Sequence, residues 1–233
     1  MMVPSLTRVP PRSFLEELKA FERKNEMPNL VYVFLPADHS VGATPGFPTP
    51  RAMVADNDLA LGRIVEAVSR SRFWPQTCIL VVEDDPQNGV DHVDGHRSVL
   101  QVISPYTRGK FVDHTNYNQT GVVKTMELML GLPPMNQLDL SATPLRGSFR
   151  DTPDLTPFKS VPNRVPLDEM NPPLSRLKGP ALHWARKSLE MDFDKEDEAD
   201  EDTLNRILWH SVRGYNVPYP APGSRGRPTV PSK

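Results

Sequence analysis

Proline is unevenly distributed along this chain, and it limits which parts can form regular structure. The 233 residues contain 26 prolines, of which 15 lie after residue 131. Proline has no backbone N–H group, and its ring clashes with the preceding helical turn, so proline-rich stretches form poor helices and strands. We therefore predict a domain over residues 1–150 and a proline-rich, acidic and mostly irregular extension over residues 151–233. Within the extension we expect short helices at 181–189 and 203–212 and a disordered tail.

Hydrophobic periodicity predicts alternating helices and strands in the first 131 residues. Amphipathic spacing indicates helices, and short apolar runs without polar alternation indicate strands that are buried on both faces. The predicted order is helix 13–24, strand 30–35, helix 52–71, strands 77–82 and 99–103, and helix 122–130. Such alternation is typical of an α/β protein with a mostly parallel sheet flanked by helices.

Charge and composition exclude several classes of function. The chain has 27 Lys and Arg against 29 Asp and Glu, a net charge of -2, so nothing favours nucleic-acid binding. No stretch approaches about 18 consecutive apolar residues, so no transmembrane segment is predicted, and the first residues do not resemble a signal peptide. The single cysteine, Cys78, excludes an intrachain disulfide framework and a thiolate zinc site, and we expect it to be a core residue.

Histidine and aspartate residues concentrate between residues 38 and 114, and they are the main chemical signal. They are His39, His92, His96 and His114, interleaved with Asp38, Asp84, Asp85, Asp91 and Asp94. Carboxylate oxygens and imidazole nitrogens together suit a divalent zinc, manganese or iron ion, and calcium is also compatible if only oxygens bind. Alternatively, these residues cap turns and pair with Arg97 in a polar loop. The adjacent carboxylates of Asp84 and Asp85 repel each other unless a cation or a basic group intervenes, which favours the metal site.

Two common metal-binding motifs do not fit this segment. The calcium-loop template fails because Pro86 occupies its middle position. His92 and His96 have the spacing of zinc-protease ligands, but no Glu follows His92 and Gly95 disfavours a helix. The segment is therefore neither an EF-hand nor a zincin motif.

Three longer motifs resemble the phosphoesterase family of the alkaline phosphatase superfamily, which includes phospholipase C-like and acid phosphatase-like enzymes. They read PADHSVG at 36–42, VADNDLALG at 54–62 and VEDDPQNGVDHVDGHR at 82–97. The likeness is greatest to bacterial proteins in which a YVTN-type β-propeller precedes an alkaline phosphatase-like domain, and it extends to DTLNRILWH at 202–210 and PYP at 218–220.

The resemblance implies a metal-dependent hydrolase that acts on phosphate esters. It places Asp38, His39, Asp84 and Asp85 at the metal, His92 and His96 at the metal or against the phosphate and leaving group, and Arg97 at the substrate. In such enzymes the metal lowers the pKa of a hydroxyl nucleophile and neutralises charge on the phosphoryl group.

The resemblance also implies that the chain is the C-terminal portion of such a domain, because its first recognisable motif belongs to the second half of the family domain. An N-terminal companion half or a β-propeller is then a partner, and relatives of this type are commonly periplasmic or secreted. None of Ser40, Thr44 and Thr49 is identified as the nucleophile by its spacing. Two alternatives stay open: a non-catalytic remnant that binds metal or phosphate, and a module whose C-terminal part docks a partner.

Overall fold

The computed structural model describes residues 11–83, 97–193 and 198–220, and within these ranges the chain is rich in helix. The helices are α1 (Pro11–Lys24), α2 (Pro50–Arg70), α3 (Gln119–Leu130), α4 (Gln137–Ser141), α5 (Gly179–Leu189) and α6 (Glu201–Arg213), and the strands are β1 (Ile79–Val82) and β2 (Leu100–Ile103). No helix in the described ranges is both long and apolar enough to cross a membrane.

The chain divides into two compact units, each assembled from separate segments. The described residues of the first unit fall within Met1–Leu35, Ala60–Asp84 and Ser98–Val161, and those of the second within Pro36–Leu59, Asp85–Arg97 and Pro162–Lys233. Helix α2 therefore begins in the second unit and ends in the first.

The core of the first unit forms between α1 and the C-terminal part of α2. Phe14 and Leu18 lie one turn apart on α1, and Ile64 and Val68 do the same on α2, so each helix presents an apolar stripe. Together with Trp74, these side chains are at most 5% exposed. The periodicity that predicts helices at 13–24 and 52–71 therefore reflects burial in a common core.

The prediction of a mostly parallel sheet flanked by helices is wrong. β1 and β2 pair antiparallel, with Ile79 opposite Ile103 and Val82 opposite Leu100, and they form a two-stranded sheet, with no further sheet in the described residues. An apolar run indicates that a strand is buried but not in which direction it pairs, so the sequence did not distinguish an antiparallel pair of strands from a parallel one. Cys78, directly before β1, is half-buried, and burial raises the pKa of its thiol to about 11.

The run from residue 30 to residue 35, predicted to be a buried strand, belongs to no strand in the structure. Val31, Val33 and Leu35 pack against the core of the first unit. Leu30 and Tyr32, in contrast, are 60% and 64% exposed. Alternate side chains thus face the core and the solvent, but because all six residues are apolar the alternation is invisible in the sequence.

Part of the proline-rich extension packs on α2 rather than leaving the fold. The backbone N–H of Phe158 donates to Ser69 Oγ at 2.9 Å, and the N–H of Ser160 donates to Glu66 Oε2 at 3.1 Å. The Phe158 ring also meets Trp74 edge-on, with centroids 6.0 Å apart. These contacts show that residues 158–160 pack against the rest of the first unit and are not part of a free linker.

Two buried carboxyl groups join the C-terminal part of α3 to α4. Glu127 and Asp139 are only 5% and 2% exposed. Burial, followed by a hydrogen bond to Asp139, raises the pKa of Glu127 above its ordinary value of 4.5. Burial acts to raise the pKa of Asp139 as well, but hydrogen bonds from the backbone N–H groups of Asn136, Met135 and Leu140 and from Glu127 outweigh it and lower that pKa to about 2. Of the two groups, Glu127 is therefore the one that binds a proton first as the pH falls.

We expect a Glu127→Gln variant to lose a pH dependence that the parent protein shows. Because the pKa of Glu127 is higher in the folded than in the unfolded protein, its protonation stabilises the fold. This stabilisation is complete below the unfolded pKa of 4.5, and it is lost as the pH rises through the folded pKa. The amide that the substitution introduces donates to Asp139 at every pH, so urea midpoints measured from about pH 5 to about pH 9 should decline less in the variant. The exposed Glu17→Gln serves as control, and equal slopes in all three proteins would contradict the raised pKa of Glu127.

Candidate functional site

The structure describes three of the seven residues that the sequence assigns to the site. Asp38, His39 and Arg97 lie in the described ranges. The remaining predicted residues, Asp84, Asp85, His92 and His96, lie outside the described residues. The site can therefore be built from the segment around Asp38.

Asp38 and His39 lie at the start of a loop that connects the run 30–35 to α2. Pro36–Asp38 forms one turn of 3-10 helix, closed by the His39 N–H, which donates to the Pro36 carbonyl oxygen at 3.2 Å. The Asp38 side chain is half-buried and the His39 side chain is exposed. We name residues 36–49 the Asp38 loop.

Asn171 holds the centre of the Asp38 loop. Its side chain is 6% exposed. The side-chain nitrogen, Nδ2, donates to three main-chain carbonyl oxygens, those of Gly42, Thr44 and Pro48, at 3.1, 3.0 and 3.3 Å. Its backbone N–H donates to the Phe47 carbonyl oxygen at 2.8 Å. Carbonyl groups that would otherwise be unpaired in a tight loop are thus satisfied by a single residue from a distant part of the chain.

Glu169 fixes the end of the Asp38 loop. The Thr49 N–H donates to the Glu169 carbonyl oxygen at 2.8 Å, and the Thr49 hydroxyl donates to Glu169 Oε1 at 2.6 Å. Arg51 Nε donates to the same oxygen at 2.7 Å, and Arg51 Nη2 pairs with Oε2. The hydrogen bonds from Arg51 and Thr49 lower the pKa of Glu169 to about 2, so its carboxylate stays charged well into the acid range.

Ser188 and Gly42 attach the loop to the core of the second unit. The Ala43 N–H donates to Ser188 Oγ at 2.9 Å, and the Ser188 hydroxyl donates to the Trp184 carbonyl oxygen at 3.0 Å. Gly42 has a φ of 61°, and a Cβ there would lie 3.0 Å from both Ile207 Cγ2 and Ser188 Oγ. The close approach and the left-handed backbone both require glycine at this position.

The core beneath the loop consists of Ala43, Ala185 and Ile207, surrounded by partly buried apolar side chains of α5, α6 and their flanks. The Trp184 ring stacks on His210, with centroids 5.2 Å apart and planes 22° apart. His210 is 8% exposed, so it serves packing. The Asp38 loop therefore lies on a helical core that the apolar periodicity of residues 181–212 predicts.

The described part of the site is an incomplete ligand set. A carboxylate and an imidazole on adjacent residues supply one hard oxygen donor and one borderline nitrogen donor. Within the described ranges, no group of three or more His, Cys, Asp or Glu side chains is placed to hold a metal ion. A complete site at Asp38 and His39 therefore needs ligands from outside those ranges, where the predicted Asp84 and Asp85 lie.

Asn171, Glu169 and Ser188 are positioning residues that the sequence analysis missed. Gly42 and Gly46 indicate a tight loop, and the buried carbonyl groups of such a loop need hydrogen-bond donors from other parts of the chain. The residues that bind the loop are separated from their partners by 120 to 145 positions, so no local pattern identifies them.

Comparisons with protein-family models, curated proteins and solved structures find no match to this chain. The phosphoesterase resemblance therefore rests on the motifs at 36–42, 54–62 and 82–97, and it stays a prediction.

Proposed function

We propose that this chain forms part of a metal-dependent phosphoric ester hydrolase, in which Asp38 and His39 bind a divalent cation together with Asp84 and Asp85. The anchoring of the Asp38 loop is the observation that carries the proposal. Burying polar groups such as Asn171 and Ser188 is unfavourable unless their hydrogen bonds are made, and here those bonds hold residues 42–48 of the loop that begins with Asp38 and His39. Metal ligands need this kind of fixed support.

In the proposed reaction, the cation would act as a Lewis acid on the phosphoryl oxygens and lower the pKa of the attacking hydroxyl. Arg97 would hold the phosphate, because a guanidinium matches two phosphate oxygens. His92 and His96 would protonate the leaving group or contact the phosphate. Each assignment follows the resemblance, residue by residue.

The hydroxyl groups of the Asp38 loop form hydrogen bonds within the second unit, which favours a nucleophile that lies outside this loop. The Thr44 hydroxyl donates to the Val41 carbonyl oxygen at 2.7 Å, and the Thr49 hydroxyl donates to Glu169. Ser40 Oγ accepts the Gly42 N–H at 3.0 Å. The two threonine hydroxyls use their protons in these hydrogen bonds, and Ser40 Oγ holds its turn as an acceptor, so we assign the attacking hydroxyl to the companion half that the resemblance implies.

The exposed side chains of the run 30–35 also support a companion half. Leu30 and Tyr32 are apolar and mostly exposed, although their neighbours pack in the core of the first unit. A run with high β-propensity and one uncovered apolar face is what a sheet-forming companion would cover.

The test is metal content by elemental analysis, together with hydrolysis of 4-nitrophenyl phosphate and bis(4-nitrophenyl) phosphate. We expect bound zinc, manganese, iron or calcium in the purified chain, and its loss in Asp38→Asn and in the double variant Asp84→Asn, Asp85→Asn. Asp151→Asn is the matched control, because Asp151 is an exposed aspartate outside the motifs.

The outcomes separate the alternatives. Metal with hydrolysis would support an enzyme that carries its own nucleophile. Metal without hydrolysis would support either a non-catalytic remnant or an enzyme that needs its companion half, and restored hydrolysis on adding the family's N-terminal half would decide for the latter. No bound metal in the parent protein, or equal metal in all variants, would overturn the proposed site.

A further inference from the structure

A cleft of about 520 Å³ lies in the first unit, between α3 and the segment 143–147. Its lining includes Thr115, Tyr117, Lys124, Leu128, Thr143 and Arg146. None of these residues belongs to the site proposed above. The volume lies within the range of about 300 to 1,000 Å³ that is usual for small-molecule sites.

Two cations that form no salt bridge in the described residues line this cleft. Lys124 is half-buried and Arg146 is exposed. Neither forms a salt bridge or a side-chain hydrogen bond with any other residue in the part of the chain that the structure describes. Because they lie on different elements of the same cleft, they can approach one ligand from two sides.

The walls of the cleft are held by a network of hydrogen bonds. Asp113 accepts the Thr115 N–H at 3.0 Å and the Tyr117 hydroxyl at 2.9 Å. A Cβ on Gly147 would lie 2.8 Å from Asp113 Oδ2, so glycine lets the segment 143–147 approach this pair. On the other side, the N–H of the fully buried Leu145 donates to Thr125 Oγ1 on α3 at 2.9 Å.

The acidic groups near the cleft compete little for the two cations. The oxygens of Asp113 are occupied by Thr115 and Tyr117, and these hydrogen bonds lower its pKa. Glu127 is attracted to Lys124, but it is buried and its pKa is raised by that burial. At the cleft, Lys124 and Arg146 therefore outnumber the ionised carboxylate of Asp113, which forms no salt bridge with either of them in the described residues.

We infer that this cleft binds a phosphomonoester dianion that carries a small apolar group. Lys124 and Arg146 match its two charges, and the hydroxyls of Thr115 and Thr143, which also line the cleft, add donors. Leu128, 47% exposed, offers an apolar surface for the organic group. A planar monoanionic carboxylate would satisfy fewer of these donors. The inference does not rest on the proposed hydrolysis, since no lining residue takes part in it.

The test is isothermal titration calorimetry of the full chain with phenyl phosphate, inorganic phosphate and benzoate, in a buffer with chelator so that metal binding does not contribute. For an open cleft we expect phenyl phosphate to bind with a Kd of about 1 mM, more tightly than inorganic phosphate and benzoate. Lys124→Met and Arg146→Met should each weaken its binding about tenfold, because each removes a charge-assisted hydrogen bond. Lys159→Met, an exposed lysine outside the cleft, is the matched control.

Amide chemical shifts of Thr115, Leu128 and Gly147 should also move during the titration in the parent protein, and at the same phenyl phosphate concentration they should move less in Lys124→Met. Absence of binding at about 10 mM phenyl phosphate would overturn the inference. So would equal affinity in the two cleft variants and the control, or benzoate binding as tightly as phenyl phosphate. Because metal is absent throughout, these results are independent of the metal analysis of the Asp38 loop.

Discussion

An Asn171→Ala variant is expected to lose about 2 to 3 kcal/mol of unfolding free energy, because three main-chain carbonyl groups of a tight loop lose their shared donor. These are the carbonyl groups of Gly42, Thr44 and Pro48. The backbone bond from the Asn171 N–H to Phe47 survives the substitution, so the loop should loosen rather than detach. Urea unfolding followed by tryptophan fluorescence measures the loss, since Trp184 and Trp209 lie in the second unit.

Asn163→Ala provides the matched control. The Asn163 side chain is exposed and donates only to the nearby Val165 carbonyl oxygen, at 2.6 Å, so its loss should cost less than about 0.5 kcal/mol. If the metal ligands depend on the loop, Asn171→Ala should also bind less metal than Asn163→Ala. Equal unfolding free energies for the two variants would show that Asn171 does not hold the loop.

An Ile207→Ala variant should lose about 3 to 4 kcal/mol, within the range measured for truncating fully buried aliphatic side chains. Ile207 has no exposed surface, and it packs with Ala43 and Ala185 in the core of the second unit. Its Cγ2 atom would lie 3.0 Å from a Cβ on Gly42, which is closer than ordinary van der Waals contact. The substitution therefore removes buried surface, and it also leaves a cavity directly beneath the Asp38 loop.

Val212→Ala, on the same helix, tests whether the effect comes from burial. Val212 is 61% exposed, so the change should cost less than about 0.5 kcal/mol. Thermal and urea unfolding of both variants give the comparison. A small loss for Ile207→Ala, similar to that for Val212→Ala, would mean that this core is loosely packed or collapses around the smaller side chain.

Five of the six helices in the described residues could be predicted from the sequence because their signals are local, whereas the short α4 was missed. The apolar residues that follow Ser13 predict a helix at 13–24, and the structure has α1 at Pro11–Lys24, so Ser13 lies inside the helix and not at its start. Asn118 caps the start of α3, and Gly131 ends it with a φ of 68°. Capping residues and apolar stripes act within one or two turns, so a single segment carries the whole pattern.

The sheet could not be predicted because strand pairing depends on residues that are far apart. The apolar runs before Glu83 and at 99–103 do become strands, but their direction is not encoded in either run. The run 30–35 has the same composition and forms no strand in the described residues. Since pairing partners decide which apolar run becomes a strand, composition alone overestimates the sheet.

Of the candidate site, the sequence predicts only the side chains of the candidate ligands, and their role stays a prediction. Asp38 and His39 stand out because acidic and imidazole groups after an apolar run are unusual, and the structure places them together at the start of one loop. The support from Asn171 and Ser188 was not predictable, since an isolated Asn or Ser in a proline-rich or helical segment carries no signal of its distant partner.

The run 30–35, which leaves Leu30 and Tyr32 exposed, also affects how the chain behaves at high concentration. Residues 30–35 form a short apolar stretch without charge, the composition that favours intermolecular β-aggregation. Pro28 and Pro36 bracket it, and neither can donate a hydrogen bond to a growing ladder. The two prolines therefore act as gatekeepers: they confine any cross-β contact to the short stretch between them and disfavour fibril growth even where Leu30 and Tyr32 remain uncovered.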